Sequence, residues 1–230
     1  MTTGRSKLVR IIDRLEQAYG QQNSAEPDDA YELVLHRNCG YPPSDSNCAR
    51  GFAALAERVG LAPGDILAAS EAALRSALRA GGIVPELRAR RLREIATRVR
   101  DEFGGDLGRV LEGPLPRARK ALTSFPTIAD AGADKVLLFT GTAPVAALPS
   151  NCVHVPVRLG FGRDSKTWSA KYRSAQEVIH EELPEDFGVR RRAYLLLKRH
   201  GQEVCKASRP RCDRCVVSAD CEYFRKLGRQ

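Results

Sequence analysis

The chain has no apolar run of about 18 residues that would span a bilayer. Its opening stretch, Met1-Thr2-Thr3-Gly4-Arg5-Ser6-Lys7, has no apolar signal region. Convincing period-2 alternation, the mark of half-buried strands, is missing throughout. Acidic residues are in short supply: 28 Asp plus Glu against 37 Lys plus Arg give a formal net charge of +9. These shortages exclude a membrane span and an all-β fold, and the charge favours a polyanionic partner. The 230 residues can bury one or two modest cores. Cysteines acting as metal ligands, with the others scattered, suit a reducing cytoplasm.

What is present reads as short helices between Gly and Pro breaks. Leu8, Ile11, Ile12 and Leu15 recur at helical spacing from Ser6 to Ala18, and Gly20 ends that helix. Asp28 or Asp29 caps a helix starting near Tyr31, which the Gly40-Tyr41-Pro42-Pro43-Ser44 run breaks. Asp45 or Ser46 opens the next, and Pro63-Gly64 reads as a turn. Ser70 caps Glu71 to Ala80, Gly81-Gly82 stops it, and Pro85 starts a helix through Leu87, Leu92, Ile95 and Val99. The expectation is an all-α chain.

Four of the seven cysteines fall at Cys205, Cys212, Cys215 and Cys221, spaced C-x6-C-x2-C-x5-C. A central C-x2-C lets two sulfurs converge on one centre, and the outer pair closes the coordination sphere. Four thiolates make either a Zn site or a [4Fe–4S] cluster, and the residues alone leave both open. With Leu195-Leu-Leu-Lys-Arg-His-Gly before it and Tyr223-Phe224 after, the loop resembles the iron–sulfur loop of the endonuclease III branch of helix-hairpin-helix DNA glycosylases. The resemblance implies a [4Fe–4S] cluster rather than Zn. It also implies that Lys206, Arg209, Arg211 and Arg214 touch DNA phosphates, where cations displace condensed counterions.

A second stretch, Pro116 to Gly141, reads as helix (Arg117 to Ser124), tight turn, helix (Asp134 to Phe139). Such a hairpin can aim backbone N–H groups at an anion. It resembles the family hairpin Leu-Pro-Gly-x-Gly-x-Lys-Thr-Ala through Pro126, Ile128, Ala133 and the apolar helix that follows. Both hairpin glycines are replaced, by Thr127 and Ala129, which are the positions expected to approach DNA phosphate. Bifunctional members place a lysine where Ala131 stands, to attack the sugar C1′. Nearly all active members place an aspartate eighteen residues later, where Pro149 stands. Neither Ala nor Pro can do that chemistry, so strong lyase activity is not expected.

Four nearby groups are candidate substitutes: Asp130 at the pocket mouth, Asp134 one turn beyond Ala131, Asn151 to orient a water, and His154 as acid or base. Each has a structural alternative: helix capping for Asp130 and Asn151, an ion pair with Lys135 for Asp134, and a satisfied structural histidine for His154.

The resemblance implies two helical lobes: a six-helix barrel over 27–139, with the helix-hairpin-helix at 117–139, and a cluster lobe from 1–26 and 140–230. It implies a cytoplasmic, nucleoid-associated monomer that binds damaged double-stranded DNA across the cleft between lobes and flips a base from the stack. A monofunctional glycosylase of base excision repair is the first expectation. A catalytically silent binder of damaged or unusual DNA is the second, and a zinc-ribbon-like module on a helical scaffold the third. Tyr41 is placed to wedge into the duplex. His36, Arg37 and Asn38 line the cleft in this reading. Cys39, Cys48 and Cys152 are small buried residues, Trp168 and Tyr172 pack the lobe, and the runs Arg88–Arg93 and Arg190–Arg192 are solvated faces.

Overall fold

A computed structural model describes residues 6–228, and among them the chain is helical with no strand. It divides into two compact units, 25–136 and 1–24 with 137–230.

In the first unit, α2 (Ala30–Asn38) is capped by the Asp29 carboxylate, which accepts from the Glu32 N–H. Helix α3 (Asp45–Arg58) is capped by Ser44, and α5 (Glu71–Leu78) by Ser70. Each side chain satisfies an amide that the helix leaves unpaired. Pro63-Gly64, expected as a turn, begins a short helix, α4 (Pro63–Ala68). Pro63 sits in its first turn, where a missing N–H costs nothing. Helix α6 (Pro85–Phe103) buries Ala89, Leu92, Ile95, Ala96 and Val99 on one stripe and packs against α2, α4 and α5. Helix α7 (Leu107–Leu111) is capped by Asp106. Helices α8 (Leu115–Thr123) and α9 (Asp130–Phe139) form the hairpin, α9 running on into the second unit.

In the second unit, α1 (Lys7–Tyr19) is capped by Ser6 and stopped at Gly20, as its pattern predicts. Leu8, Ile11, Ile12 and Leu15 are all buried. It packs on α11 (Trp168–Glu182) and α12 (Phe187–Glu203). The short α10 (His154–Leu159) and α13 (Glu222–Leu227) meet at the base of the cysteine loop.

The two basic runs are not simply solvated faces. Arg88 is 1% exposed. Arg190, 2% exposed, donates to the carbonyls of Pro184 (2.9 Å), Leu183 (3.1 Å) and Pro144. Arg191 donates to the Leu138 and Phe139 carbonyls (2.9 and 3.0 Å), and Arg192 pairs with Asp13 and Glu16 of α1 (2.8 and 2.7 Å). Five N–H donors in a rigid fork let arginine tie off helix ends that lysine would leave unpaired. Cys39, Cys48 and Cys152 are buried, in line with the sequence.

Candidate functional sites

The four clustered cysteines are brought together. Cys205, Cys212, Cys215 and Cys221 line one cavity, with Arg158, His200, Val204 and Tyr223 among its walls. The loop follows directly on α12. The Cys205 amide donates to the His200 carbonyl (2.8 Å), and short 3₁₀ turns at Cys212–Arg214 and Ser218–Asp220 present the last three thiols. Burial raises the thiol pKa of Cys205 and Cys212, and pushes that of Cys215 up to about 11. The neighbouring cysteines raise all three further. Thiolates so placed would need a cationic centre to offset desolvation and mutual repulsion. Among the described residues no three His, Cys, Asp or Glu side chains converge as a group that would hold a single ion.

Three residues brace this loop. Arg158 donates to the Lys206 and Ala207 carbonyls (2.7 Å each), its Nη1 lies 3.6 Å from Cys205 Sγ, and its guanidinium rests over Tyr223 (4.8 Å). His154 Nε2 lies 2.7 Å from the Cys205 carbonyl oxygen, so it donates there, and burial lowers its pKa. His200 is buried, which drives its pKa down to about 4 and keeps it neutral at physiological pH. Tyr19 Oη is 2.7 Å from His200 Nδ1. With the tyrosine donating, the imidazole proton sits on Nε2, 3.7 Å from Cys215 Sγ. Neither Arg158 nor His200 stood out in the sequence as a functional residue. A histidine five residues before a clustered cysteine was the available signal. Lys206, Arg209, Arg211 and Arg214 are all exposed, and among the described residues no carboxylate pairs with any of them.

The hairpin folds with its turn at Ser124–Ala129. Thr127 adopts φ 66°, the left-handed conformation that glycine takes most easily, and its hydroxyl donates to Asn38 Oδ1 (3.2 Å). Asn38 Nδ2 donates to the carbonyls of Pro126 (3.1 Å) and Val34 (3.0 Å). Asn38 is therefore a buried anchor of the hairpin rather than a surface residue, and His36 is likewise buried, edge-on to Phe52 (5.5 Å); Arg37 alone of the three is exposed. Ala131 is 5% exposed and Pro149 is buried.

The four catalytic candidates are placed differently. Asp130 is exposed on the first turn of α9. Asp134 is fully buried and paired with Arg119 of α8, while Lys135 pairs with Glu26. An aspartate at 0% exposure ties the two hairpin helices together and meets no substrate. Asn151 is exposed two residues ahead of Val153, the N-cap of α10, so it does not cap that helix. His154 is engaged with the cysteine loop as described. Tyr41 is 41% exposed, beside Ile83 (60%) and Val84 (38%) on a loop bridged to it.

No family model matches the chain. It is 28% identical over 197 residues to endonuclease III of Sulfolobus acidocaldarius, spanning 85% of this chain and 83% of that protein. Alignments to several bacterial endonuclease III proteins span about half of each. A solved non-covalent endonuclease III–DNA complex superposes with a TM-score of 0.74 at 19% identity, covering 97% of both chains. A thermostable thymine-DNA glycosylase superposes with 0.71 at 18%, covering 95% of this chain and 97% of that one. The chain is thus similar in sequence to endonuclease III proteins and shares the fold of the solved endonuclease III–DNA complex.

Proposed function

We propose that this protein is a monofunctional DNA glycosylase of base excision repair, which extrudes a damaged or mismatched base and hydrolyses its N-glycosidic bond without strand cleavage. The observation that carries the reading is the contrast between retained scaffold and altered chemistry. Hairpin and cysteine cavity are both built, while Ala131 and Pro149 stand where bifunctional relatives use lysine and aspartate. Without an amine no Schiff base forms, so water is the nucleophile. Its oxygen bonds to C1′ as the C1′–N bond breaks, and the proton the water gives up goes to the departing base or, where a cationic base leaves neutral, to solvent. Of the four candidate groups, Asp130 keeps an exposed carboxylate beside Ala131 and is assigned to stabilise positive charge on the sugar. A base that leaves readily, such as a cationic alkylated purine or a mispaired pyrimidine, needs the least acid help. The thymine-DNA glycosylase among the structural neighbours fits that class.

Cys205, Cys212, Cys215 and Cys221 would hold a [4Fe–4S] cluster, which when bound supplies a rigid cross-link to the loop. The exposed Lys206, Arg209, Arg211 and Arg214 would then contact phosphates, each neutralised phosphate releasing counterions. Tyr41 and Ile83 would enter the base stack, as apolar wedges do in proteins that unstack duplexes. Purified protein incubated with lesion-bearing duplexes should release free base, with strand breaks only after alkali and no borohydride-trapped adduct. A second reading, a silent binder of damaged DNA, is favoured by the loss of both family groups. Tight binding with no base released from any lesion would establish it instead.

A further inference from the structure

We propose that Arg88 is a positioning residue for base extrusion: its buried guanidinium clamps the loop at Cys39–Pro42 to the loop at Gly81–Val84, making one rigid apolar prow. This inference rests on the DNA-extruding role given above to Tyr41 and Ile83.

Arg88 is among the largest fully buried side chains of the chain. Its Nη1 donates to the Cys39 carbonyl (2.6 Å) and its Nη2 to the Gly82 carbonyl (2.8 Å), while among the described residues Nε has no partner. Burial lowers its pKa, and no carboxylate is hydrogen-bonded to it. A buried cation answered only by two carbonyls is an expensive way to fill a core, and an apolar side chain of similar volume would pack there more cheaply. What it provides is a fixed separation between two loops that share no sheet.

The rest of the seam is built for the same closeness. The Tyr41 amide donates to the Gly81 carbonyl and the Ile83 amide to the Tyr41 carbonyl, both at 3.0 Å. A Cβ on Gly81 would sit 1.9 Å from the Cys39 carbonyl oxygen and 2.7 Å from Arg88 Nη1. One on Gly82, whose φ is +108°, would sit 2.2 Å from the Tyr41 carbonyl oxygen. Backbone meets backbone there, with no room for a side chain. On the solvent side Arg50 donates to the Ala80 carbonyl (3.2 Å) and to Asn47 Oδ1 (2.7 Å), and Asn47 donates to the Pro42 carbonyl (2.8 Å). Val84, a β-branched residue at φ 53°, persists in a strained conformation that its surroundings must over-determine. The product is three exposed apolar side chains, Tyr41, Ile83 and Val84, on a base that does not yield. A wedge must be stiff to separate stacked bases, because a loose loop would spend the contact on ordering itself.

The test uses the full chain and a duplex carrying 2-aminopurine opposite thymine, with Arg88→Met, Arg88→Lys, Ile83→Ala and Tyr41→Ala. Fluorescence reports unstacking, anisotropy reports affinity, and amide exchange reports loop rigidity. In Arg88→Met the unstacking amplitude should fall at least about tenfold, since both charge-assisted hydrogen bonds that join the loops are lost, with affinity nearly unchanged. Arg88→Lys should be intermediate. Exchange should accelerate at Tyr41 and Ile83 and not across the rest of 25–136. A folded Arg88→Met with full amplitude, or acceleration spread evenly over the unit, overturns the proposal even if Ile83→Ala abolishes unstacking. If Arg88→Met does not fold, Arg88→Lys decides by the same readouts, and failure of both to fold makes Arg88 a core staple and ends the proposal. If Ile83→Ala and Tyr41→Ala leave unstacking intact, it is the underlying extrusion role of those loops that fails.

Discussion

In the cysteine loop, side chains carry the function and the backbone delivers them. Four thiols line one cavity, four cations face solvent, and Arg158, His154 and His200 hold the loop from behind. In the hairpin the division is reversed. Its turn forms without glycine at 127 or 129 because Asn38 and Thr127 lock it and Arg119–Asp134 joins the helices, yet Ala131 offers a bare methyl where the family resemblance leads one to expect a lysine. One region presents a set of reactive and charged side chains, and the other presents a backbone turn with few. A scaffold can outlast the reactive groups it was built around, and function has to be argued at the site.

That contrast can be broken most forcefully at the cysteines. Cys212→Ser or Cys215→Ser should drop iron per chain to near zero and make the 205–221 segment readily cleaved by protease, since metal binding and local folding are coupled. Full iron retention in either variant would remove the loop from the metal site. In the hairpin the largest loss should come from Arg119→Ala, which removes the ion pair to the buried Asp134 carboxylate. About 3 kcal/mol of stability should go, read by urea unfolding. Asn38→Ala should cost less, about 2 kcal/mol, by stranding the Pro126 carbonyl and the Thr127 hydroxyl. Smallest in stability, and purely electrostatic, is alanine at Lys206, Arg209, Arg211 or Arg214. Each should lower the salt slope of DNA binding by about one and change stability by no more than about 0.5 kcal/mol. An unchanged slope would show that these cations face away from the phosphates.

Much of the helical pattern was legible because caps and breakers act locally. Ser6, Asp29, Ser70, Gly20 and Pro85 work where the sequence puts them. The cysteine spacing was equally plain, since a metal site is a pattern of residue types. The arginines were not. Composition says charge, and charge suggests solvent, but Arg88 sits four residues before Leu92 and Arg190 four before Tyr194, each on the buried stripe of its helix. Periodicity was the signal that a count of basic residues hid. Asp134 was misjudged for the complementary reason: spacing put it on the face of Ala131, but no sequence pattern reveals that Arg119 reaches it in the interior.

The account stands most directly on one assay, release of free base from lesion-bearing duplexes with parallel borohydride trapping. It predicts free base, strand scission only after alkali, and no covalent protein–DNA adduct. A trapped adduct, or scission without alkali, would mean that an amine elsewhere in the chain replaces the one absent at Ala131, and would contradict the hydrolytic mechanism.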